Sequence, residues 1–596
     1  MGSHQPNERW RPHPEEIYQS ELAATEVSRG VARFMTWSFV AIVFSVPCSQ
    51  LALELARGQP PQAFALFSPL LQSSRYAMQA HWAEAKNSLA TMVSRQHLRS
   101  FESELERSHW AKSFFQPRVQ EIVTRFLGFG NDKGTLGRDG WLFYQPGLDY
   151  IAGPDFTDSR ILQAAAKKMV DKEGETDPTP DPRPALLHFH ETLRGAGIHL
   201  VIMPVPDKAM LQPRELTRRL DRNRSIAVPN NRGYMRFVER LRHQGVDVFD
   251  CAPETVNPGE IRYLIQDTHW TPVFMEQAAQ ELARHIRSSV SLPAPQRNQP
   301  MHIVERRVAR LGDLVDMLKL PAGQRLFVPQ TVTIRQIVDD VTGKPWQADA
   351  EADVLLVGDS FTNVFSQAGL GWGQSAGLAE HLSYDLQRPV DVLALNGGGV
   401  WATRSELARH NNLSRLAAKR VVIYEFAIRD LLAQNWKSVQ FPSPEVISAA
   451  SKVQSPSSPT EPVAPATTPA ESTLQLKALS SQGTTDGELV LIGRIVKISA
   501  VPRPGTAPYK DCVTFIKFEV EHVEAGIYDK PAIIAAFLAM KDNVWLPAAN
   551  YAISDRFRMK LIPFRKADPA IRSMQRADDL DDIDLRPYYS LEEKRQ

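Results

Sequence analysis

Two short segments of the sequence hold residue types suited to acyl-transfer chemistry. In the run Asp353–Thr362 (DVLLVGDSFT), Ser360 follows an apolar stretch and a Gly-Asp turn. A serine at the carboxyl end of a buried strand lies where open α/β sheets bind their ligands, so Ser360 is a candidate nucleophile. The same Gly-Asp-Ser pattern also occurs in ordinary turns, where the serine only caps a helix.

The second segment holds Asp267 and His269. Residues two apart in an extended stretch project to the same side, so the carboxylate can contact the imidazole. Such a pair fixes the tautomer of the histidine and leaves its other nitrogen free to deprotonate a serine. The alternative is a helix-start aspartate beside a solvated histidine, because Thr271-Pro272 predicts a helix start. A metal site is less well supported, since no obvious third and fourth ligands lie nearby in the sequence.

These segments fall within a regular alternation of apolar runs and amphipathic helical stretches between residues 160 and 430. Short apolar runs separated by such helices are typical of a parallel sheet covered on both faces. The sequence therefore predicts an α/β domain. The predicted strands are Ile198–Met203, Val246–Phe249, Val354–Val357, Val390–Leu395 and Val421–Phe426.

The length and charge of the chain limit the classes of protein to which it can belong. Its 596 residues are too many for one core. Lys+Arg 69 against Asp+Glu 68 gives a net charge of +1, which argues against binding nucleic acid through the global field. Three cysteines are too few for a disulfide framework.

An uncharged run, Phe34–Leu53, follows Arg29 and Arg33 near the start of the sequence. A helix of this length is about 30 Å long, so it can cross a bilayer, and the arginines favour a cytoplasmic N-terminus. We expect a cytoplasmic segment at 1–33, a transmembrane anchor at 34–53 and an exported remainder. A cleaved signal peptide and a buried core helix are the alternatives.

Composition divides the exported part into four segments. Residues 54–130 have a helical pattern and are interpreted as a stalk, and 131–437 form the α/β domain. Prolines with Ser, Thr and Ala dominate 438–485, which predicts an extended linker. Residues 486–596 contain apolar strand-like runs and predict a small, mostly β domain with a mobile charged tail around Asp578–Asp584. Its aromatic residues fit either a core or a carbohydrate platform, and an interaction module for another envelope protein is an equal candidate.

Four motifs together resemble a known family, and they occur in this order: Gly137-Arg-Asp-Gly-Trp-Leu-Phe-Tyr144, Val205-Pro-Asp-Lys208, Asp267-Thr-His-Trp270 and Gly358-Asp-Ser360. Over about 130–435 the chain resembles the alginate O-acetyltransferase group of SGNH-like proteins, the AlgJ and AlgX type. The resemblance implies an SGNH-hydrolase-like sheet and an extracytoplasmic domain that modifies a polysaccharide. It also implies a triad in which Ser360 is the nucleophile, His269 the base and Asp267 the residue that orients the base.

Further residues are candidates for binding the oxyanion or the substrate. Asn396, Gly397 and Gly398 follow a predicted strand, so their amides can approach the site, although a flexible turn is the alternative. Arg404 resembles the family's substrate-positioning arginine. Tyr424 ends the last predicted strand and fits either the groove or the core.

The expected function is that of a single-pass inner-membrane protein whose periplasmic domain O-acetylates an exported polysaccharide. No cofactor is expected, because no Gly-rich phosphate loop follows a strand. The resemblance implies a multi-pass, MBOAT-like membrane acyltransferase as acetyl donor and other polysaccharide secretion proteins as partners, with no nucleic acid. An acetyl-ester hydrolase and a non-catalytic scaffold of a secretion complex are the alternatives.

Overall fold

The structure is a computed structural model of the 596-residue chain. It describes residues 28–58, 61–67, 98, 101–102 and 110–596, apart from 174–176, 221–223, 296–299, 398, 410–412, 434, 453–486, 500, 503–509, 579 and 581–584. The chain divides into two compact units, residues 1–119 and 120–596.

The second unit holds all the described strands. These are β1 Gly134–Leu136, β2 Leu142–Tyr144, β3 His199–Val205, β4 Ile226–Ala227, β5 Asp247–Val248, β6 Thr255–Val256, β7 Met301–Arg310, β8 Gln330–Asp339, β9 Val354–Gly358, β10 Asp391–Ala394, β11 Val421–Ala427, β12 Leu489–Ile498, β13 Cys512–Ala525, β14 Ala532–Lys541, β15 Val544–Trp545, β16 Arg556–Pro563, β17 Gln575–Ala577 and β18 Pro587–Arg595.

Helices occur in both units. The α-helices are α1 Arg29–Ala56, α2 Trp110–Ile122, α3 Gln145–Ala152, α4 Ser159–Lys168, α5 Pro182–Gly195, α6 Lys208–Leu211, α7 Pro213–Leu216, α8 Tyr234–His243, α9 Pro272–Ser289, α10 Asp313–Met317, α11 Ser360–Asn363, α12 Leu378–Leu386, α13 Gly399–Ala408, α14 Leu413–Ala417, α15 Asp430–Ala433, α16 Pro444–Lys452 and α17 Pro569–Ser573. Shorter 3-10 or π helices are Gln62–Phe67, Val123–Leu127, Met169–Glu173, Ala368–Leu370, Pro547–Asn550 and Phe564–Lys566.

The five strands predicted for the α/β domain form one parallel sheet in the order β10-β9-β11-β3-β5. The residues of β9 and β11 are all buried, as expected for parallel strands covered on both faces. Buried side chains of α5, α8, α9 and α12 join the same core. The prediction of an α/β domain built on a parallel sheet is therefore confirmed. Because β9 lies between β10 and β11, the turn that follows Gly358 has a neighbouring strand on each side.

The predicted helix after the Asp-x-His segment is also present, as α9. Thr271 is its N-cap, and the Thr271 Oγ1 accepts a hydrogen bond from the Phe274 N–H at 3.3 Å. Pro272 takes the first helical position, where a missing N–H costs nothing. This cap fixes the direction in which the chain leaves His269.

An antiparallel pair, β7 and β8, lies between α9 and β9 and was not predicted from the sequence. The chain between its two strands contains α10, which begins at Asp313. This excursion places α10 beside the Asp267–His269 segment, because the Leu314 N–H donates to the Gln266 carbonyl oxygen at 3.2 Å.

The C-terminal domain is a closed barrel of five strands, β12, β13, β14, β18 and β16, in which β16 pairs back to β12. All neighbours are antiparallel except β14 and β18, which are parallel. Register shifts along β12 sharpen its bend, and Gly493 lies at one of them. A Cβ at Gly493 would lie 3.0 Å from the Glu519 carbonyl oxygen, so a side chain there would require the neighbouring strand to shift by a few tenths of an ångström.

Two features of the C-terminal half differ from the expectations. The charged end is not free throughout, because β18 (Pro587–Arg595) lies between β14 and β16. Of the stretch predicted to be mobile, Asp578–Asp584, residues 579 and 581–584 lie outside the described residues, and Asp578 pairs with Arg409. The first part of the predicted linker is the helix α16, and its Ile447 is buried in the α/β core. In both segments a few buried apolar residues stand among charged or small ones, so the sequence pattern did not indicate regular structure. The rest of the predicted linker, 453–485, lies outside the described residues.

The predicted anchor falls within α1, which is the one described helix long and apolar enough to cross a membrane. Its 28 residues span about 42 Å at the α-helical rise. Ser28 caps the helix, and Pro47 lies inside it. Most of the predicted stalk, 54–130, lies outside the described residues, and its described part includes α2.

Candidate active site

Ser360 is positioned by the sharp turn that follows the central strand β9. Asp359 caps the short helix α11, and its Oδ1 accepts a hydrogen bond from the Phe361 N–H at 2.7 Å. A Cβ at Gly358 would lie 2.3 Å from the Thr362 Oγ1 and 2.6 Å from the Glu425 Oε2. Glycine is therefore required for the turn to close onto these two side chains.

The three predicted triad residues meet in a single hydrogen-bonded relay. The His269 Nε2 lies 2.8 Å from the Ser360 Oγ, and the His269 Nδ1 lies 2.6 Å from the Asp267 Oδ1. All three side chains are buried, with exposures of 3 to 6%. The Nδ1 of His269 thus faces a carboxylate and the Nε2 faces the serine hydroxyl, which is the arrangement that lets an imidazole take a proton from a serine.

The carboxylate of Asp267 is held by donors on both oxygens. Its Oδ1 accepts from the His269 backbone N–H at 3.1 Å as well as from the ring. Its Oδ2 accepts from the Trp372 Nε1–H at 2.8 Å and from the Asp313 backbone N–H at 3.0 Å. Neither Trp372 nor Asp313 carries a sequence signal that links it to the triad.

These contacts shift the pKa values of the pair in opposite directions. Burial opposes ionisation of Asp267, but the hydrogen bond and charge of His269 outweigh it, so the pKa of the carboxyl lies well below its usual range. Burial favours neutral His269, yet Asp267 outweighs this effect and raises the pKa of the ring above 6.5. Asp267 therefore stays ionised and makes His269 a stronger base.

Asp313 contributes a second carboxylate next to the relay. Its Oδ1 accepts from the Thr268 N–H at 2.8 Å, and its Oδ2 accepts from the Thr268 Oγ1–H at 2.5 Å. Burial and the charge of Asp267 raise the pKa of Asp313 to about 6. Ligand atoms of Asp267, His269 and Asp313 lie within 4.8 Å of one another, so a third possible metal ligand exists that the sequence did not reveal. A metal ion would displace the hydrogen bond on the His269 Nδ1, so the observed donors fit a triad better.

The strand-end loop after β10 also reaches this site. The Asn396 Oδ1 accepts from the Asn363 Nδ2–H at 2.8 Å, and the Asn396 Nδ2–H donates to the Gln367 Oε1 at 2.9 Å. All three amide side chains line the same cleft as His269. Gly397 is exposed, and its φ of +66° suits a glycine. Gly398 lies outside the described residues.

Arg404 and Tyr424 are buried, with exposures of 1% and 0%. The Tyr424 hydroxyl donates to the Val400 carbonyl oxygen at 2.6 Å, and the Arg404 Nε–H donates to the same oxygen at 2.9 Å. Arg404 also donates to the Lys437 carbonyl oxygen at 3.1 Å. These contacts fix α13 against the core, so a substrate does not reach either side chain.

Lys208 binds the backbone of the segment that carries Asp267. Its Nζ donates to the carbonyl oxygens of Ile265 at 2.8 Å and Asp267 at 3.0 Å. The ammonium also lies 5.1 Å from the Trp141 ring centre, within cation–π range. Burial lowers the pKa of Lys208 to about 7. Lys208 therefore fixes the backbone on which Asp267 stands.

Glu425 supports the nucleophile turn in a similar way. Its Oε2 accepts from the Asp359 N–H at 3.0 Å and from the Thr362 Oγ1–H at 2.8 Å. Burial, followed by the charge of Asp359, raises the pKa of Glu425 well above its usual range. The sequence held a signal for this residue, since a glutamate within the apolar run of β11 needs a buried partner.

Comparison with known proteins supports the assignment of this domain. Residues 135–428 match the family model of the SGNH hydrolase-like domain, acetyltransferase AlgX. A probable alginate O-acetylase AlgJ of Pseudomonas aeruginosa is 25% identical over 294 residues, which cover 47% of this chain and 68% of that protein. Its counterpart in Pseudomonas putida is 28% identical over 320 residues, covering 50% and 71%.

Among solved structures, the O-acetyltransferase domain of Pseudomonas putida AlgJ covers 54% of this chain and 100% of its own length, with 22% identity and a TM-score of 0.37. The Pseudomonas aeruginosa AlgX structure covers 53% of this chain and 66% of its own, with 16% identity and a TM-score of 0.35. On the family model and the sequence relatives, the α/β domain of this chain belongs to the AlgJ/AlgX-type group of SGNH-like O-acetyltransferases.

Proposed function

We propose that this chain transfers acetyl groups to hydroxyls of an exported polysaccharide through an acetyl intermediate on Ser360. The observation that supports this most directly is the relay in which the His269 Nε2 lies 2.8 Å from the Ser360 Oγ and the Nδ1 is bound by Asp267. Alginate is the first polymer to test, because the relatives are described as alginate O-acetylases.

The reaction proceeds in two matched steps. In the first, the His269 Nε2 takes the proton of the Ser360 hydroxyl while the Oγ attacks the carbonyl carbon of the acetyl donor. The bond to the donor oxygen breaks, and His269 returns the proton to that leaving group. In the second, His269 takes the proton of a sugar hydroxyl, the sugar oxygen attacks the acetyl carbon, and Ser360 leaves and recovers its proton.

Other residues serve these steps without exchanging protons. Asp267 keeps the Nδ1 protonated and stabilises the imidazolium. Asn396 and the amides around Gly397 and Gly398 are our candidates for binding the oxyanion, because Asn396 lines the same cleft as His269.

We further propose that α1 anchors the protein in the inner membrane, with the catalytic domain in the periplasm. The support for this is the length and composition of α1 together with the arginines at its start. A multi-pass, MBOAT-like partner would then carry the acetyl group across the membrane, and other secretion proteins would deliver the polymer.

Intact-mass analysis tests the nucleophile. The full-length protein is incubated with a soluble acetyl ester, and wild type is expected to gain the mass of one acetyl group. Ser360→Ala is expected to gain none, while the matched control Ser288→Ala, at an exposed position of α9, behaves as wild type. Acylation of Ser360→Ala to the same extent would refute Ser360 as nucleophile.

A second measurement separates transferase from esterase. De-acetylated alginate oligosaccharides are added, and both acetylated sugars and free acetate are quantified. Acetate release without any acetylated sugar would establish the hydrolase instead. In cells, normal polymer acetylation in a Ser360→Ala strain would establish the scaffold role.

A further inference from the structure

The C-terminal domain has the strand order of a known ligand-binding barrel. Numbered within the domain as first to fifth, β12, β13, β14, β16 and β18 pair in the closed order 1-2-3-5-4-1, with strands 3 and 5 parallel. This is the topology of the OB-fold. OB-folds bind oligonucleotides and oligosaccharides with the face of strands 2 and 3 and with the loops joining strands 1 to 2 and 4 to 5.

Described residues of both loops line the cleft that contains His269. A cleft of about 990 Å³ is lined on one side by His269, Asn363 and Asn396. On the other side it is lined by Lys510, at the end of the first loop, and by Arg572 and Gln575, in the second. The volume lies at the upper end of the range for small-molecule pockets, about 300–1,000 Å³, so it accommodates several sugar units.

Buried ion pairs fix the barrel in this position. Arg409, which follows α13, pairs with Asp578 of the second loop and lies 3.1 Å from Glu406. Arg576 of β17 lies 2.9 Å from the same Glu406. The exposures of these four side chains are between 2% and 12%, so solvent screens the pairs little.

A second contact reaches the other wall of the cleft. The Lys510 Nζ lies 3.0 Å from the Asp316 carboxylate on α10, the helix whose Asp313 binds Thr268 beside the relay. The barrel is thus joined both to the helix that follows the Asn396 loop and to the helix that supports Asp267.

One side chain in the second loop points to the nature of the ligand. Gln575 is 7% exposed, and its Oε1 has no hydrogen-bond partner among the described residues. A buried acceptor of this kind is costly unless a ligand supplies a donor. Sugar hydroxyls are such donors, and Gln575 lines the cleft that also contains His269.

The charges that line the cleft favour a glycan over a nucleic acid as its ligand. Single-stranded nucleic acids need a positive groove with aromatic stacking surfaces. On the barrel side, however, two basic residues, Lys510 and Arg572, are balanced by two acidic ones, Asp511 and Asp542, so this wall has no net charge. No aromatic side chain of the described barrel lines it. Mixed charges and amides instead suit a polyhydroxyl chain.

We propose that the OB-type barrel forms the acceptor-binding wall of the acetyl-transfer cleft, with Gln575 and Arg572 contacting the glycan chain that receives the acetyl group. The inference rests on the proposed function and extends it. A bound glycan held by this wall would place a sugar hydroxyl, rather than water, next to acetyl-Ser360.

The test compares acceptor use by full-length variants, with a soluble acetyl ester as donor and de-acetylated alginate oligosaccharides as acceptor. Gln575→Met preserves the shape of the side chain but removes the oxygen that accepts a hydrogen bond. Arg572→Ala changes an exposed side chain. For each, we expect the KM for the oligosaccharide to rise about 5- to 10-fold and the ratio of transferred to hydrolysed acetyl to fall by a similar factor. Lys594→Ala, at the exposed end of β18, is the control. Thermal unfolding checks that each variant is folded.

Each outcome is decisive. If wild type transfers acetyl groups but both variants match Lys594→Ala, the barrel is not the acceptor wall, and the proposed function stands. If wild type forms acetyl-Ser360 but acetylates no sugar, the transferase function and this inference fail together. Binding of an oligonucleotide in competition with the glycan, at equal or higher affinity, would overturn the assignment to a glycan.

Discussion

Replacing Asp267 by asparagine probes the relay at a carboxylate whose two oxygens each accept two hydrogen bonds. The Asp267 Oδ1 receives two N–H donors from His269, and the Oδ2 receives one each from Trp372 and Asp313. Either orientation of an asparagine amide therefore puts its NH₂ group against two donors. Keeping its oxygen on the Trp372 side leaves the NH₂ facing the His269 Nδ1.

That orientation forces the wrong tautomer. The Nδ1 must then accept a hydrogen bond, so the proton moves to the Nε2, which can no longer take a proton from Ser360. In serine hydrolases with this geometry, the same change lowers kcat about 10⁴-fold. We expect a loss of about 10³- to 10⁴-fold here, equivalent to about 4 to 5.5 kcal/mol of transition-state stabilisation.

The pH profile gives a second, independent readout. Asp267 raises the pKa of His269 above 6.5, and His269 must be neutral to act as base, so wild-type activity should rise with pH through a midpoint above 6.5. Without the carboxylate charge, the midpoint of the remaining activity should move to lower pH. The assay is the single-turnover acetylation of Ser360, followed by mass spectrometry from pH 5 to pH 9.

Asp529→Asn, at an exposed position of the barrel, is the matched control and should match wild type in rate and midpoint. An Asp267→Asn rate within tenfold of wild type, or a midpoint that does not fall, would refute the role assigned to the carboxylate.

Three further predictions concern the residues around the relay. Glu425→Gln should retain activity within about threefold, because a neutral glutamic acid and a glutamine present the same hydrogen-bond acceptor. Glu425→Leu should lower the unfolding free energy by about 1–3 kcal/mol, because it leaves the Thr362 hydroxyl and the Asp359 backbone N–H unpaired. Trp372→Phe should lower kcat about 10-fold by removing one donor to Asp267, with the fold intact by circular dichroism. Because the pKa of Lys208 is lowered to about 7, the unfolded chain binds more protons than the folded one between about pH 7 and pH 10, so stability gains a contribution that grows with pH over this range. Lys208→Met should remove that contribution. Denaturant titrations of both proteins at pH 7 and pH 9 measure it as the gain in unfolding free energy between the two pH values. A gain in the variant equal to that of wild type would contradict the prediction.

The position of the barrel bears on the competition between transfer and hydrolysis. In the mechanism we propose, water and a sugar hydroxyl compete for the same acetyl-serine, so the outcome depends on which of them occupies the cleft. In this protein one wall of the cleft comes from a separate domain, held by the buried pairs of Arg409 and Glu406. Loosening that contact should favour acetate release over transfer.

Much of the fold follows from local sequence patterns. All five predicted strands of the α/β sheet are present, because a strand buried on both faces must be apolar along its whole length, as Val354–Gly358 is. The start of α9 was equally local, since Thr271 and Pro272 act through their own backbone. By contrast, β18 was not predicted from the sequence, because only Pro587, Tyr588 and Ser590 of this mostly charged segment are buried, and the strands that pair with it lie elsewhere in the sequence.

The triad residues could be named from sequence because each stands in a short motif whose order matches a family. Trp372 and Asp313 could not be named, because they reach Asp267 from distant parts of the chain and stand in no pattern. Glu425, within an apolar run, and Lys208, within a family motif, did stand out, but the sequence did not show which groups they contact. Arg404 illustrates the opposite case, since it resembles the family's substrate-positioning arginine but its guanidinium is bound by carbonyl oxygens in the core.

Sequence by itself thus determined the α/β class, because that class depends on local periodicity, and the resemblance to a family proposed Ser360, His269 and Asp267 as the triad. The closed barrel, its attachment through Arg409 and Lys510, and the cleft with the unpartnered Gln575 were decided only by the tertiary structure. Strand pairing across a barrel and contacts between domains join residues that no local pattern connects.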